Sequence, residues 1–213
     1  MSISNSKKVS LAIAAAGAVP SVAGTARSKG EVYNLMSGIR NDDAAVRTKA
    51  WQSAGKAGAP AVKPLAIVMT DKKPEVARAA KRGLWQVVRH VGRPGAAKMK
   101  RMVIDRLIEL LGDDQPVPVR REVLWMLSEI GNRKSINPIA ALLSDKDLRE
   151  DARMVLQRIP NRTAVAALRA GLINASDDFK LNIAQSLRQR GVKVDGLDCV
   201  KLIPTKKTNV KPL

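Results

Sequence analysis

Aromatic residues are nearly missing from this chain, which has three Trp, one Tyr and one Phe among 213 residues. Sandwiches and barrels rely on aromatic and β-branched side chains to cover their pleated faces. The shortage therefore argues against a sheet fold and points to helices filled with Ala, Leu and Val. Cysteine and histidine occur once each, as Cys199 and His90. One cysteine cannot form an intrachain disulfide, and the pair, far apart in sequence, offers neither a Cys/His zinc site nor a Cys-His dyad. The chain also lacks a Gly-rich phosphate loop, a His-Glu-x-x-His helix and a Gly-x-Ser-x-Gly elbow. Carboxylates such as Glu109, Asp113 and Asp114 are scattered and suit helix ends and turns. No cofactor, metal site or catalytic residue is expected.

Acids are scarce as well: 19 Asp and Glu face 38 Lys and Arg, for a formal net charge of +19. The chain is nevertheless not a disordered polycation. Apolar residues make up 45% and charged residues 27%, enough burial to offset the entropy of ordering a body of this size.

Residues 1–26 differ from the rest. Lys7 and Lys8 precede the apolar run Leu11 to Val19, then come Pro20 and the small residues Ser21 to Ala26, with no acid throughout. A positive start, an apolar run and a small-x-small exit form the pattern of a secretory signal peptide, cleaved after Ala23 or Ala26. A disordered or weakly helical leader is the alternative. The run is too short for a stable membrane span, which needs about 20 apolar residues. Export to the periplasm or medium is the expectation if the signal is real, and a cytoplasmic location otherwise.

From residue 41 onward the chain repeats itself. Val46-Arg47 recurs as Val119-Arg120, Leu148-Arg149 and Phe179-Lys180, with Val76-Ala77-Arg78 as a looser copy. Four positions after each anchor stand Ala50, Ala80, Val123, Ala152 and Ile183, and eight after it Ala54, Leu84, Leu127, Leu156 and Leu187. That spacing traces one face of an amphipathic helix. Gly58, Gly131, Pro160 and Gly191 then stop the helices by left-handed capping or a missing amide, while in the second copy Gly92 arrives one turn late. Asp43, Asp145 and Ser176 are placed as N-caps and Pro74 in a first turn. Second apolar segments, Ala61 to Met69, Met99 to Leu111, Ile136 to Leu143 and Ala164 to Leu172, lie between, with Pro64 and Pro138 expected near their starts. A helix pair thus recurs about every thirty residues, with one enlarged unit.

The pattern from Val119-Arg120 through Leu127 to Gly131, followed by Ile136-Asn137-Pro138-Ile139-Ala140-Ala141-Leu142-Leu143, resembles the short HEAT repeat of the phycobilisome-lyase type. The resemblance covers roughly residues 42–191 as five units, the last incomplete. It implies an all-α, right-handed α-solenoid whose Val-Arg helices line the concave face. Stacking is required, because one helix pair cannot bury its own apolar face. The domain reading is leader 1–26, solenoid 27–192, and a capping segment with a basic tail at 193–213. Cys199 in that tail reads as a small buried residue, or as a site for an intermolecular disulfide in an exported protein. Relatives with di-iron chemistry carry repeated His-Glu pairs, which a lone His90 followed by Val91 cannot supply.

The charge is concentrated. From Lys72 to Arg106, eleven bases face two acids. Outside the apolar stripe of the Val-Arg helices stand Arg78, Lys81, Arg82, Arg121, Arg153 and Arg188, so a groove lined by these helices would be electropositive; the alternative is a solvated basic surface, with capping and ladder roles for the Arg next to each anchor. Trp51, Trp85 and Trp125 lie off the main stripe in consecutive repeats, where Trp packs against a neighbouring repeat or anchors a partner. Trp85 and Trp125 join the basic residues as candidate partner-binding positions. His90, in a last helical turn where the dipole favours a protonated ring, reads as a surface or capping residue. The chain is therefore expected to be a non-enzymatic scaffold that binds a protein partner through a basic concave surface. A nucleic-acid or polyanion binder is the second reading, and a lyase-like or glycosylase-like enzyme the third.

Overall fold

A computed structural model describes residues 22–197. Most of the leader (1–21) and the segment 198–213, with Cys199, lie outside the described residues. The described chain contains no strand. Its ten α-helices are α1 (Val22–Ile39), α2 (Ala44–Ser53), α3 (Ala59–Val68), α4 (Pro74–Gly92), α5 (Ala97–Glu109), α6 (Val117–Ile130), α7 (Arg133–Ala141), α8 (Arg149–Arg158), α9 (Arg162–Asn174) and α10 (Asp177–Gln189). Each even-numbered helix packs on the next even one, each odd on the next odd, and the two rows pack on each other. This is a two-layer α-solenoid with one continuous core. Its even layer contains the Val-Arg helices.

The phase of the repeat differs from the sequence expectation. The helix over 22–39 was not anticipated, yet it packs on α2 and opens the odd layer. The natural pairs are therefore α1/α2, α3/α4, α5/α6, α7/α8 and α9/α10, each with its Val-Arg helix second. Counted this way the fifth unit is complete.

The apolar stripe is buried in four copies: Val76, Val119, Leu148 and Phe179 and the residues four and eight places on are all 2% exposed or less. The first copy departs. Val46 is 38% exposed and Ala50 is half-buried, because α2 is the first even helix and no even helix precedes it to cover the anchor.

Several end signals are corrected. Asp43 caps α2 as expected, accepting from the Ala45 N–H at 2.7 Å. Ser176 makes no cap bond; its hydroxyl instead accepts from the Arg149 guanidinium at 3.1 Å. Asp145 closes the short 3-10 turn Leu142–Ser144, and the position before α8 belongs to Leu148. Its carboxylate accepts from the Asp147 N–H at 2.9 Å, so it shapes the approach to the helix rather than its cap. Asn132 and Asn161 are the side-chain caps of α7 and α9. Pro64 and Pro138 lie inside α3 and α7 rather than in their first turns, because both helices start earlier than their apolar residues suggest. Gly131 has φ −55°, so it is not left-handed. Gly191, at φ 73°, is. There Val192 N–H reaches Leu187 O and Gly191 N–H reaches Arg188 O, both at 2.9 Å, the paired bonds of a Schellman end.

Beyond α10 the chain turns back on the last repeat. Val192 and Val194 pack partly against the core, and Arg188 donates to the carbonyls of Val194 and Leu197.

Candidate functional site

α4 is the longest helix of the repeat, with 19 residues. Its buried face is Val76, Ala79, Ala80, Gly83, Leu84, Val87, Val88 and Val91, which leaves Arg78, Lys81, Arg82 and Arg89 outside and Trp85 at the boundary. Trp51 arrives from α2. Together these six residues line a depression of about 450 Å³. A neighbouring depression shares Trp51, Arg78 and Arg82 and extends along α2, and another shares Trp85 and Arg89 and extends to Glu129 and Ile130 of α6. The result is a groove running from α2 across α4 to α6.

Two cation–π stacks shape its floor. The Arg82 guanidinium lies 5.5 Å from the Trp51 ring centre, and that of Arg89 lies 5.8 Å from the ring of Trp85, one helical turn before it. Arg78, Arg82 and Arg89 have no carboxylate partner among the described residues. The acids nearby are engaged except Glu75, which lines the neighbouring depression beside Arg78 and Arg82 without pairing to either. Glu122 accepts Lys81 at 2.6 Å and the Trp85 indole N–H at 2.5 Å, Glu129 pairs with Arg158 at 2.7 Å, and Glu75 sits in the first turn of α4.

The residues singled out from sequence separate into two groups. Arg78, Arg82 and Trp85 gather in the groove, and Lys81 joins them with its charge partnered by Glu122. Arg121, Arg153 and Arg188 act elsewhere. Arg121 ties α6 to α8 through Asp151 (2.9 Å) and the Asp147 carbonyl (2.6 Å). Arg153 ties α8 to α10 through Ser186 (2.5 Å) while holding Glu150 (2.7 Å). Arg188 holds the returning C-terminal segment. Trp125 is 41% exposed and stands outside the groove. Trp51 and Arg89 were missed as site residues. The delayed stop at Gly92 was the available signal, since it lengthens α4 by the turn that carries Arg89.

His90 lies against Gly55 of the 3-10 turn Ala54–Ala57, with Nδ1 3.0 Å from Arg93. Burial, then the charges of Arg93 and Lys56, push the ring below the ordinary imidazole value. The dipole argument for a protonated ring is thereby overturned: desolvation and two cations outweigh a helix end. A broader depression in the odd layer, of about 740 Å³, is lined by Arg101, Asp105, Asn132, Arg133, Lys134 and Asn137. It has no aromatic wall, and Asp105 pairs with Lys134 across it at 2.6 Å. Among the described residues no cluster of His, Cys, Asp and Glu could hold a metal ion, and no helix is long and apolar enough to cross a membrane.

Residues 62–157, from within α3 to the end of α8, match the family model for HEAT repeats. That matched stretch of the chain is built of HEAT repeats. The two outer pairs continue the geometry of this matched stretch on either side. Curated proteins yield no match. Among solved structures, the chain is similar to a designed armadillo repeat protein in complex with the peptide (KR)4, at 17% identity over 78% of this chain and 84% of that one, TM-score 0.39. A second designed armadillo repeat protein is similar at 17% identity with the same coverage and TM-score 0.41. An engineered protein is similar at 18% identity over 78% and 81%, TM-score 0.40.

Proposed function

We propose that this protein is a non-enzymatic scaffold that binds an acidic protein partner in the groove from α2 to α6. One observation carries the reading: Arg78, Arg82 and Arg89 converge on a solvent-open groove without carboxylate partners, while Arg121 and Arg153 of the later even helices are engaged in holding repeats together. Unneutralised guanidinium groups beside apolar indole surface suit a carboxylate-bearing chain by charge and by contact area. The groove contains no activated nucleophile and no pair of carboxylates with separated tasks, which supports binding over catalysis.

The test compares affinity capture from the native host by the wild-type chain, by Arg78→Glu/Arg82→Glu/Arg89→Glu, and by the remote charge reversal Arg162→Glu. A discrete acidic protein retained by the wild type and Arg162→Glu but lost from the triple variant is expected. Identical captured sets from all three baits overturn the reading. The leader enters the same proposal as an export signal. N-terminal sequencing of the native protein should find a start near residues 24–27, and a cytosolic form that keeps Met1 overturns export.

A further inference from the structure

Resting on that reading, we infer that Arg82 and Arg89 form a two-pronged carboxylate receptor for an extended acidic segment with acids three residues apart. The stacks determine what each arginine can do. A guanidinium held over an indole by cation–π attraction keeps N–H groups free to donate, and a planar fork of donors matches a carboxylate in bidentate fashion. Stacking also restricts the rotamers of a side chain that otherwise loses much entropy on binding.

The same geometry disfavours single-stranded nucleic acid. Base stacking needs a bare aromatic face. Here one face of Trp51 is covered by Arg82 and one face of Trp85 by Arg89, and the Trp85 indole N–H is held by Glu122. On those two faces a base would have to displace a cation to stack.

Spacing sets the register. Arg82 and Arg89 are seven residues apart on one helix, which is almost two full turns, so their Cα atoms share a side at roughly 10 Å along the axis, with Arg82 reaching to Trp51 of α2 and Arg89 to Trp85 of α4. In a β-strand, side chains three apart point to opposite faces. In a polyproline II segment they share a face at about 9 Å, and unfolded acidic chains populate that conformation readily. The receptor therefore selects acids at i and i+3 in a polyproline II segment. Arg78, one turn before Arg82, extends the basic surface and takes part in attraction rather than register.

The test uses the full chain and two fluorescein-labelled peptides of identical composition, each with two glutamates in a proline-alanine frame, the glutamates three apart in one and adjacent in the other. Fluorescence polarisation should give at least about tenfold tighter binding for the three-apart peptide, a difference of about 1.4 kcal/mol. Arg82→Ala/Arg89→Ala should lose that preference together with the affinity. Arg82→Lys/Arg89→Lys, which keeps the charge and removes the fork, should lose most of it. Equal affinity for the two peptides, an unchanged preference in either double variant, or no binding of either peptide overturns the inference. So does tighter binding of an oligothymidine that displaces the peptide at physiological salt and survives Arg82→Ala/Arg89→Ala. If the two peptides bind equally and the triple charge reversal abolishes both, the register fails and the groove reading stands. If the charge reversal leaves binding intact, both fail.

Discussion

The indole N–H of Trp85 on α4 donates to Glu122 of α6 at 2.5 Å, while the other oxygen of that carboxylate receives Lys81 at 2.6 Å. The side chain of Glu122 is only 16% exposed, so one carboxylate joins two even helices across the enlarged repeat and fixes one wall of the groove. Glu122→Ala leaves the half-buried indole N–H without its acceptor and Lys81 without its charge partner. The expected loss is about 1–3 kcal/mol, read as a lower thermal midpoint, with a red shift in Trp emission. Glu122→Gln, which keeps an acceptor, should lose less. An unchanged midpoint in Glu122→Ala would show that the bridge contributes nothing.

Gly131 ends α6 without a left-handed conformation, and its role is spatial. A Cβ there would lie 2.4 Å from the Leu127 carbonyl oxygen, which accepts the Gly131 N–H at 2.7 Å. Gly131→Ala must shift the backbone to avoid that contact and is expected to destabilise by about 1–3 kcal/mol. Urea denaturation measures it, and a midpoint equal to that of the wild type would contradict the geometry.

Phe179 is 2% exposed at the start of α10, with the Arg149 guanidinium 4.7 Å from its ring centre. Phe179→Ala is expected to lose about 3–5 kcal/mol. Because a solenoid is stabilised by contacts between neighbours, the damage should be local. Hydrogen exchange should lose protection across Asp177–Gln189 while α3 to α6 retain theirs. Uniform loss along the array would count against neighbour-limited coupling.

The His90 ring titrates below the ordinary imidazole value in the folded chain because of burial, Arg93 and Lys56. As pH falls through about 6.5 the unfolded chain takes up this proton first, so stability is full above that pH and declines as pH falls toward the folded value. Thermal midpoints of wild type and His90→Gln between pH 8 and pH 5 should therefore converge or cross toward acid, with the wild type losing more. Parallel curves would remove His90 as the cause.

Much of the architecture is legible in the sequence because a 3.6-residue period of Val, Leu, Ile and Ala can bury itself only as a helix face. The same stripe identified the buried residues of four copies. It failed at Val46, where no preceding even helix covers the anchor. The helix over 22–39 escaped notice because its sequence does not carry the Val-Arg motif and its value comes from packing on α2. Ser176 was placed as a cap because its residue type suits one, but a guanidinium from the neighbouring repeat took its hydroxyl. Pro64 and Pro138 fall near the starts of their apolar segments, but α3 and α7 begin two and three residues earlier, so both prolines lie inside the helices.

By itself the sequence determined that this chain forms stacked amphipathic helices: its aromatic poverty, repeat spacing and Ala- and Leu-rich stripes are local properties written residue by residue. It also located the excess of positive charge between Lys72 and Arg106. Only the tertiary structure decided which cations are available, since an arginine's partner lies about thirty residues away on the next repeat. Arg121 and Arg153 are held by such partners, whereas Arg82 and Arg89 rest on tryptophan faces that leave their donors free. Distance between repeats, which no periodicity encodes, separates the charge that builds the solenoid from the charge left to bind.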